Sequence, residues 1–194
     1  MQKHTLVALM EDRPGVLNRV ASLFRRRNYN IESLAVGHSE VAGISRMTIV
    51  LDGDSRVVEQ VVKQLYKLIN VTDVFDVTDR PSVVRELALI KVKAGPGSRS
   101  EVFELANVFR ARVVDVGASS LTIELTGPES RINSLIGLLQ PYGIQELART
   151  GRVAMVREGN DPDNNGDRGR PSALLSQLPV PPGLSPGVSP GDPV

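Results

Sequence analysis

Apolar and polar positions along residues 1–158 follow one pattern twice. Thr5 to Met10, with Leu-Val-Ala-Leu at its centre, predicts a short strand. Asp12-Arg13-Pro14-Gly15 predicts a turn that doubles as a helix start, with Pro14 preset for the first helical turn. Val16, Leu17, Val20, Ala21, Leu23 and Phe24 then recur at helical spacing, so one face is buried, and Arg25-Arg26-Arg27 closes the helix. Tyr29–Val36 and Ile44–Leu51 read as strands, and Asp52-Gly53-Asp54-Ser55 as a turn and cap. Val57, Val58, Val61, Val62, Leu65, Leu68 and Ile69 mark a second amphipathic helix before a strand over Val71–Val77. The order is βαββαβ.

The second half repeats it. A strand over Leu87–Val92 meets the loop Ala94-Gly95-Pro96-Gly97, and Ser98 with Glu101 predicts a capping box for a helix ending near Phe109. Val113–Val116 and Leu121–Thr126 read as strands, and Gly127-Pro128 opens a helix carrying Ile132, Leu135, Ile136 and Leu139. Ile144–Ala148 and Val153–Val156 form one last extended stretch, split by Thr150-Gly151. The expectation is an α+β chain of two split βαβ units, residues 1–79 and 80–158. Each copy is small enough that its core is thin, so pairing with another copy, a homodimer, is expected. Residues 159–194 hold eight Pro and six Gly in 36 positions. That exceeds the ~25–30% that marks low complexity, so this stretch is expected to be a disordered tail. Within it Asp161–Gly166 opens like a calcium loop, but Ser172 stands where a bidentate Glu belongs.

Composition narrows the chemistry. The chain has 194 residues, a formal net charge of +1, no Cys and only two His, His4 and His38. The charge excludes a strongly basic nucleic-acid binder held by its overall field. The missing cysteines exclude disulfides, thiolate metal sites and a cysteine nucleophile. No apolar run approaches the ~20 residues that cross a bilayer, and no signal or transit pattern opens the chain. A cytoplasmic, soluble protein without membrane attachment is expected.

No catalytic centre is evident. No Walker loop is present, and Gly95–Ser100 reads as a structural turn because Ser100 replaces the third glycine of a dinucleotide loop. His38 reads as a loop residue. A βαββαβ sheet is also the RNA-recognition architecture, but Thr5–Met10 and Ile44–Val50 lack the aromatic residues that stack bases. Nucleic acid is therefore not an expected partner. The positive signal is the first turn. A helix starting at Asp12-Arg13-Pro14-Gly15-Val16-Leu17 offers backbone N–H groups to a carboxylate, and Gly15 allows close approach. Asp12 or Asn30 can accept from an ammonium, so a free amino acid suits the pair. The same residues also suit a plain turn.

Glu11-Asp12-Arg13-Pro14-Gly15-Val16-Leu17 resembles the ligand loop of ACT domains, the amino-acid-sensing modules of metabolic enzymes. Asn28–Val36, Ser45–Ile49, Gln64–Leu68, Arg85–Val92 and Phe109–Val116 resemble one family in particular, the regulatory small subunits of acetolactate synthase. The resemblance implies two ferredoxin-like domains, an N-terminal ACT domain and an ACT-like second domain. It implies a homodimer whose ACT domains pair edge to edge, with no catalysis by this chain. It further implies a large catalytic partner that carries thiamine diphosphate and magnesium, is activated by the small subunit and is made sensitive to valine, in branched-chain amino acid synthesis. Asp12, Arg13, Pro14, Gly15, Val16 and Leu17 would hold the valine carboxylate, and Asn30 and Ile31 of the neighbouring subunit would complete the pocket. A free-standing ACT-type amino-acid-binding regulator is the alternative.

Some family members carry Asn where Asp12 stands. As Asp, this residue can accept from the ligand ammonium, repel its carboxylate, or cap the helix without touching the ligand. The Pro-rich tail is not part of the family pattern.

Overall fold

The computed structural model describes residues 2–157. The tail and the calcium-like Asp161–Gly166 segment lie outside the described residues. The first repeat forms β1 (Gln2–Glu11), α1 (Val16–Arg26), β2 (Ile31–His38), β3 (Ile44–Gly53), α2 (Ser55–Leu65) and β4 (Val71–Asp76). The second forms β5 (Ser82–Lys93), α3 (Arg99–Val108), β6 (Arg112–Val116), β7 (Ser120–Gly127), α4 (Glu129–Leu139) and β8 (Ile144–Arg149), and the chain continues into β9 (Val153–Val156). The sheet orders are β2-β3-β1-β4 and β6-β7-β5-β8, antiparallel throughout. The expected α+β architecture of two ferredoxin-like modules is what the chain adopts.

Each sheet buries one face under its own two helices. In the first module Leu6, Ala8, Met10, Met47, Ile49 and Leu51 meet Val20, Phe24, Val58 and Val61. In the second, Ala88, Ile90, Val92, Leu121, Ile123 and Leu125 meet Val102, Ala106, Ile132 and Leu135. Burying each large aliphatic side chain contributes about 1.5–3 kcal/mol. A third cluster joins the modules: Val7 and Val77 pack with Ala154, Phe75, Val84 and Val156.

The third cluster exists because the last extended stretch is two strands. β8 pairs with the second half of β5 (Ala88–Val92), whereas β9 pairs with its first half (Ser82↔Val156 to Arg85↔Val153). The β5–β9 ribbon lies on the first sheet, where Arg46 donates to the Ala154 carbonyl at 2.9 Å. Burial pushes the Arg46 guanidinium below its ordinary pKa, with Glu40 opposing that shift. The turn that allows this is Gly151, at φ +79, and a Cβ there would lie 2.6 Å from Ser33 Oγ and 3.3 Å from the Leu34 carbonyl oxygen.

Local details differ from expectation for physical reasons. Gly15, in the left-handed region at φ +84, is the N-cap of α1, and no side chain caps that helix. Pro14 therefore precedes the cap rather than filling the first turn, and Asp12 is not the cap. Asp54 does cap α2, accepting from Val57 N–H at 2.9 Å. Ser98 stands at the N-cap of α3 in a helical conformation and its side chain makes no capping bond, while Glu101 accepts from Tyr142 Oη at 2.9 Å. That bond raises the Tyr142 pKa. Ile69 falls beyond α2 and is exposed.

Candidate functional site

β1 ends beside the start of β3, and the chain must turn there before α1. Asp12 N–H donates to the Gly43 carbonyl at 2.8 Å, Arg13 N–H to Glu11 at 3.0 Å, and Val16 N–H to Arg13 at 3.3 Å. Pro14 has no N–H. Of the expected segment, the N–H groups of Gly15 and Leu17 find no acceptor among the described residues. They sit at the positive end of the α1 dipole, a natural seat for a carboxylate. A Cβ at Gly15 would meet nothing within 4 Å, so the space over this turn is open. Val16 is buried in the core and anchors the turn, whereas Leu17 is 47% exposed.

Asp12 faces His38, with Oδ2 3.3 Å from Nδ1. His38 is therefore not a loop residue: it closes β2, opposite Ser45 of β3. Arg13 turns instead to Glu11, at 3.3 Å.

Asn30 and Ile31 lie elsewhere. Asn30 is exposed just before β2, and Ile31 opens that strand opposite Leu51, its side chain against the first core. His38, next to the Asp12 loop, is seven residues further along β2, roughly 23 Å at the usual strand rise. One chain thus separates the expected site residues to opposite ends of one strand. That strand is an edge: among the described residues β2 pairs with β3 alone, and Glu32, Val36 and Gly37 along it are exposed.

A second concavity of about 330 Å³ lies where the modules meet, lined by Glu32, Ser33, Glu86, Glu129, Arg149 and Arg152 among others. Its charges satisfy one another. Arg149 grips Glu86 with two bonds of 2.6 and 2.8 Å and donates to Asn133 at 3.0 Å. That grip raises the Arg149 pKa, chiefly through the bond to Glu86. Arg152 pairs with Glu129, and Lys3 bridges Glu32 and Glu129. Three carboxylates thus face three cations, which makes this a join between modules rather than a ligand seat. Among the described residues no group of three His, Asp or Glu is placed to hold a metal ion, and no helix is long and apolar enough to cross a membrane.

Known proteins match both modules. Residues 6–73 match the family model described as the AHAS small subunit-like ACT domain, and residues 85–158 the model for the small subunit of acetolactate synthase. The probable acetolactate synthase small subunit of Archaeoglobus fulgidus is 58% identical over 155 residues, covering 80% of this chain and 97% of that protein. The acetolactate synthase small subunit of Mycobacterium bovis is 54% identical over 154 residues, covering 79% and 92%. The crystal structure of the acetolactate synthase small subunit of Thermotoga maritima superposes with a TM-score of 0.77 at 40% identity, covering 82% of this chain and all of that one.

Proposed function

We propose, from the premise that this chain belongs to the family of acetolactate synthase small subunits, that it is a valine-responsive regulator of a thiamine diphosphate-dependent large subunit. It works in the cytoplasm as a homodimer, activating that partner and conferring feedback inhibition. The observation that carries the reading is the separation of the Asp12–Leu17 loop from Asn30 and Ile31 along an edge strand with one side open among the described residues. Two β2 strands pairing antiparallel about a two-fold axis would set the loop end of each against the Asn30–Ile31 end of the other. Each pairing would build two complete pockets and extend two four-stranded sheets into one.

In each pocket the free N–H groups of Gly15 and Leu17 would take the carboxylate. Asn30 would accept from the ammonium, and Leu17 with Ile31 would meet the isopropyl group. Because the ligand bridges two subunits, it favours one dimer arrangement over others. A coupling of about 1–3 kcal/mol would change partner activity or affinity roughly 5–150-fold.

The test is acetolactate formation by the cognate large subunit, with and without this chain, each with and without valine. Activation that valine reverses supports the proposal. No activation, with valine still bound, would favour a free-standing amino-acid-binding regulator. Gly15→Asp and Gly15→Asn sharpen the assignment, since both strain the φ +84 backbone into similar shapes and differ in charge. Asp should abolish the valine response and Asn should only weaken it, with association intact in both. Equal effects would remove the carboxylate from this turn.

A further inference from the structure

We propose that His38 sets the valine affinity of this site through Asp12, making effector binding tighter as pH falls. The inference rests on the effector reading above. Asp12 stands on the same short turn, three residues before Gly15, and a negative charge on that turn opposes a ligand carboxylate. In the structure the Asp12 carboxylate is not left to the ligand: its Oδ2 lies 3.3 Å from His38 Nδ1, across the gap between the loop and the end of β2.

Protonated His38 neutralises Asp12 and leaves the seat to the dipole and the free N–H groups. Neutral His38 leaves the Asp12 charge in place, and the ligand carboxylate meets it. Histidine is the side chain that changes charge between about pH 5 and 8. In the single chain the His38 and Asp12 side chains are 87% and 47% exposed, so water reaches the pair before the second copy docks. His38 is thus a positioning residue: it acts on the ligand through Asp12.

In the proposed dimer the other copy brings Glu32, held by its own Lys3, toward this end of β2. On the loop, Arg13 is engaged with Glu11 at 3.3 Å. Beyond His38 the chain carries Glu40, whose charge acts on Arg46 of β3, and Arg46 itself is committed to the Ala154 carbonyl. The other histidine, His4, is buried on β1 with its Nδ1 near Thr78 Oγ1 at 3.4 Å and Asp76 at 3.9 Å, at the opposite end of that strand. His4 therefore stands apart from the Asp12–His38 pair.

Isothermal titration of valine into the full chain at about pH 5.5 and about pH 8 tests this, using wild type, His38→Gln and Asp12→Asn. Wild type should bind about three- to tenfold more tightly at the lower pH. His38→Gln should give a flat profile near the weak limit, and Asp12→Asn a flat profile near the tight limit. By linkage, valine should raise the pH midpoint of the His38 imidazole, followed by NMR, by the matching factor. A flat wild-type profile, or a His38→Gln profile that keeps the wild-type slope, overturns the role of His38 while leaving the effector site standing. Weaker binding at the lower pH also overturns it, because Asp12 would then be serving the ligand ammonium. Absence of valine binding by every protein at both pH values would bring down the effector reading itself, and this inference with it.

Discussion

In the first sheet, β1 and β3 are buried on both faces; in the second, β7 and the second half of β5 are buried on one. Thr5 to Met10 are all buried, as are Met47 to Leu51. From Leu121 to Thr126, by contrast, burial alternates strictly, with Leu121, Ile123 and Leu125 inside and Thr122, Glu124 and Thr126 toward solvent. The topology is the same, so the difference is not one of fold. It lies in what covers the face that the helices leave free. The first sheet receives the β5–β9 ribbon, which packs Ala154, Val84 and Val156 around Val7. The second keeps an open surface where Arg112 pairs with Glu124. Runs of apolar residues belong to strands covered twice, and alternation to strands covered once.

The turn that delivers the ribbon is where the contrast breaks most readily. Gly151→Val imposes a side chain at φ +79 and drives it into Ser33 and the Leu34 backbone. We expect a loss of about 2–4 kcal/mol in urea unfolding, with exposure of the free face of the first sheet reported by dye binding. The second module offers the control. Gly137 lies inside α4 with open space around it, so Gly137→Ala should leave stability equal or raise it by about 0.5–1 kcal/mol. A Gly151→Val protein as stable as wild type would show that the ribbon is held elsewhere.

The fold was legible because its signals are local and repeated. Helical spacing from Val16 to Phe24 and turn residues at Asp12–Gly15 and Asp52–Ser55 each act within a few positions. What escaped depends on distant partners. Val153–Val156 is four residues long, and nothing near it shows that it leaves β8 to pair with Ser82–Arg85. The Ser98–Glu101 box has the right spacing, but Tyr142, 41 residues away, takes the Glu101 carboxylate. In the candidate site, the Asp12–Leu17 turn was legible from Pro-Gly before an amphipathic helix. His38 was not, because only the return of β2 carries it back beside Asp12.

A middle-sized effect sharpens the same comparison through single side chains. Val7 stands on the covered face and Thr122 on the open one, each on a central strand. Val7→Ala should cost about 1.5–3 kcal/mol, because the ribbon closes imperfectly over the space left behind. Thr122→Ala should stay within about 1 kcal/mol. Comparable losses from both, read as shifts in the urea midpoint at unchanged slope, would mean that the second sheet is also covered in solution.

The smallest difference we expect separates two Arg–Glu pairs that look alike by distance. Arg149 holds Glu86 with two bonds, and the Glu86 side chain is 5% exposed. Arg112 holds Glu124 at 2.8 Å on the open face, with the arginine 73% exposed. Removing a charge from the first pair strands its partner where water reaches it poorly, whereas water replaces the second at once. Glu86→Gln should therefore cost about 1.5–2 kcal/mol, less than a fully buried pair because Arg149 keeps 30% of its side-chain surface. Arg112→Ala should cost about 0–1 kcal/mol, and that cost should vanish in 1 M salt. The Glu86→Gln loss should survive the same salt, since the guanidinium that remains sits against the module join rather than in free solution. If salt erased both losses, the join would be as wet as the open face, and the two sheets would differ in their apolar cover alone.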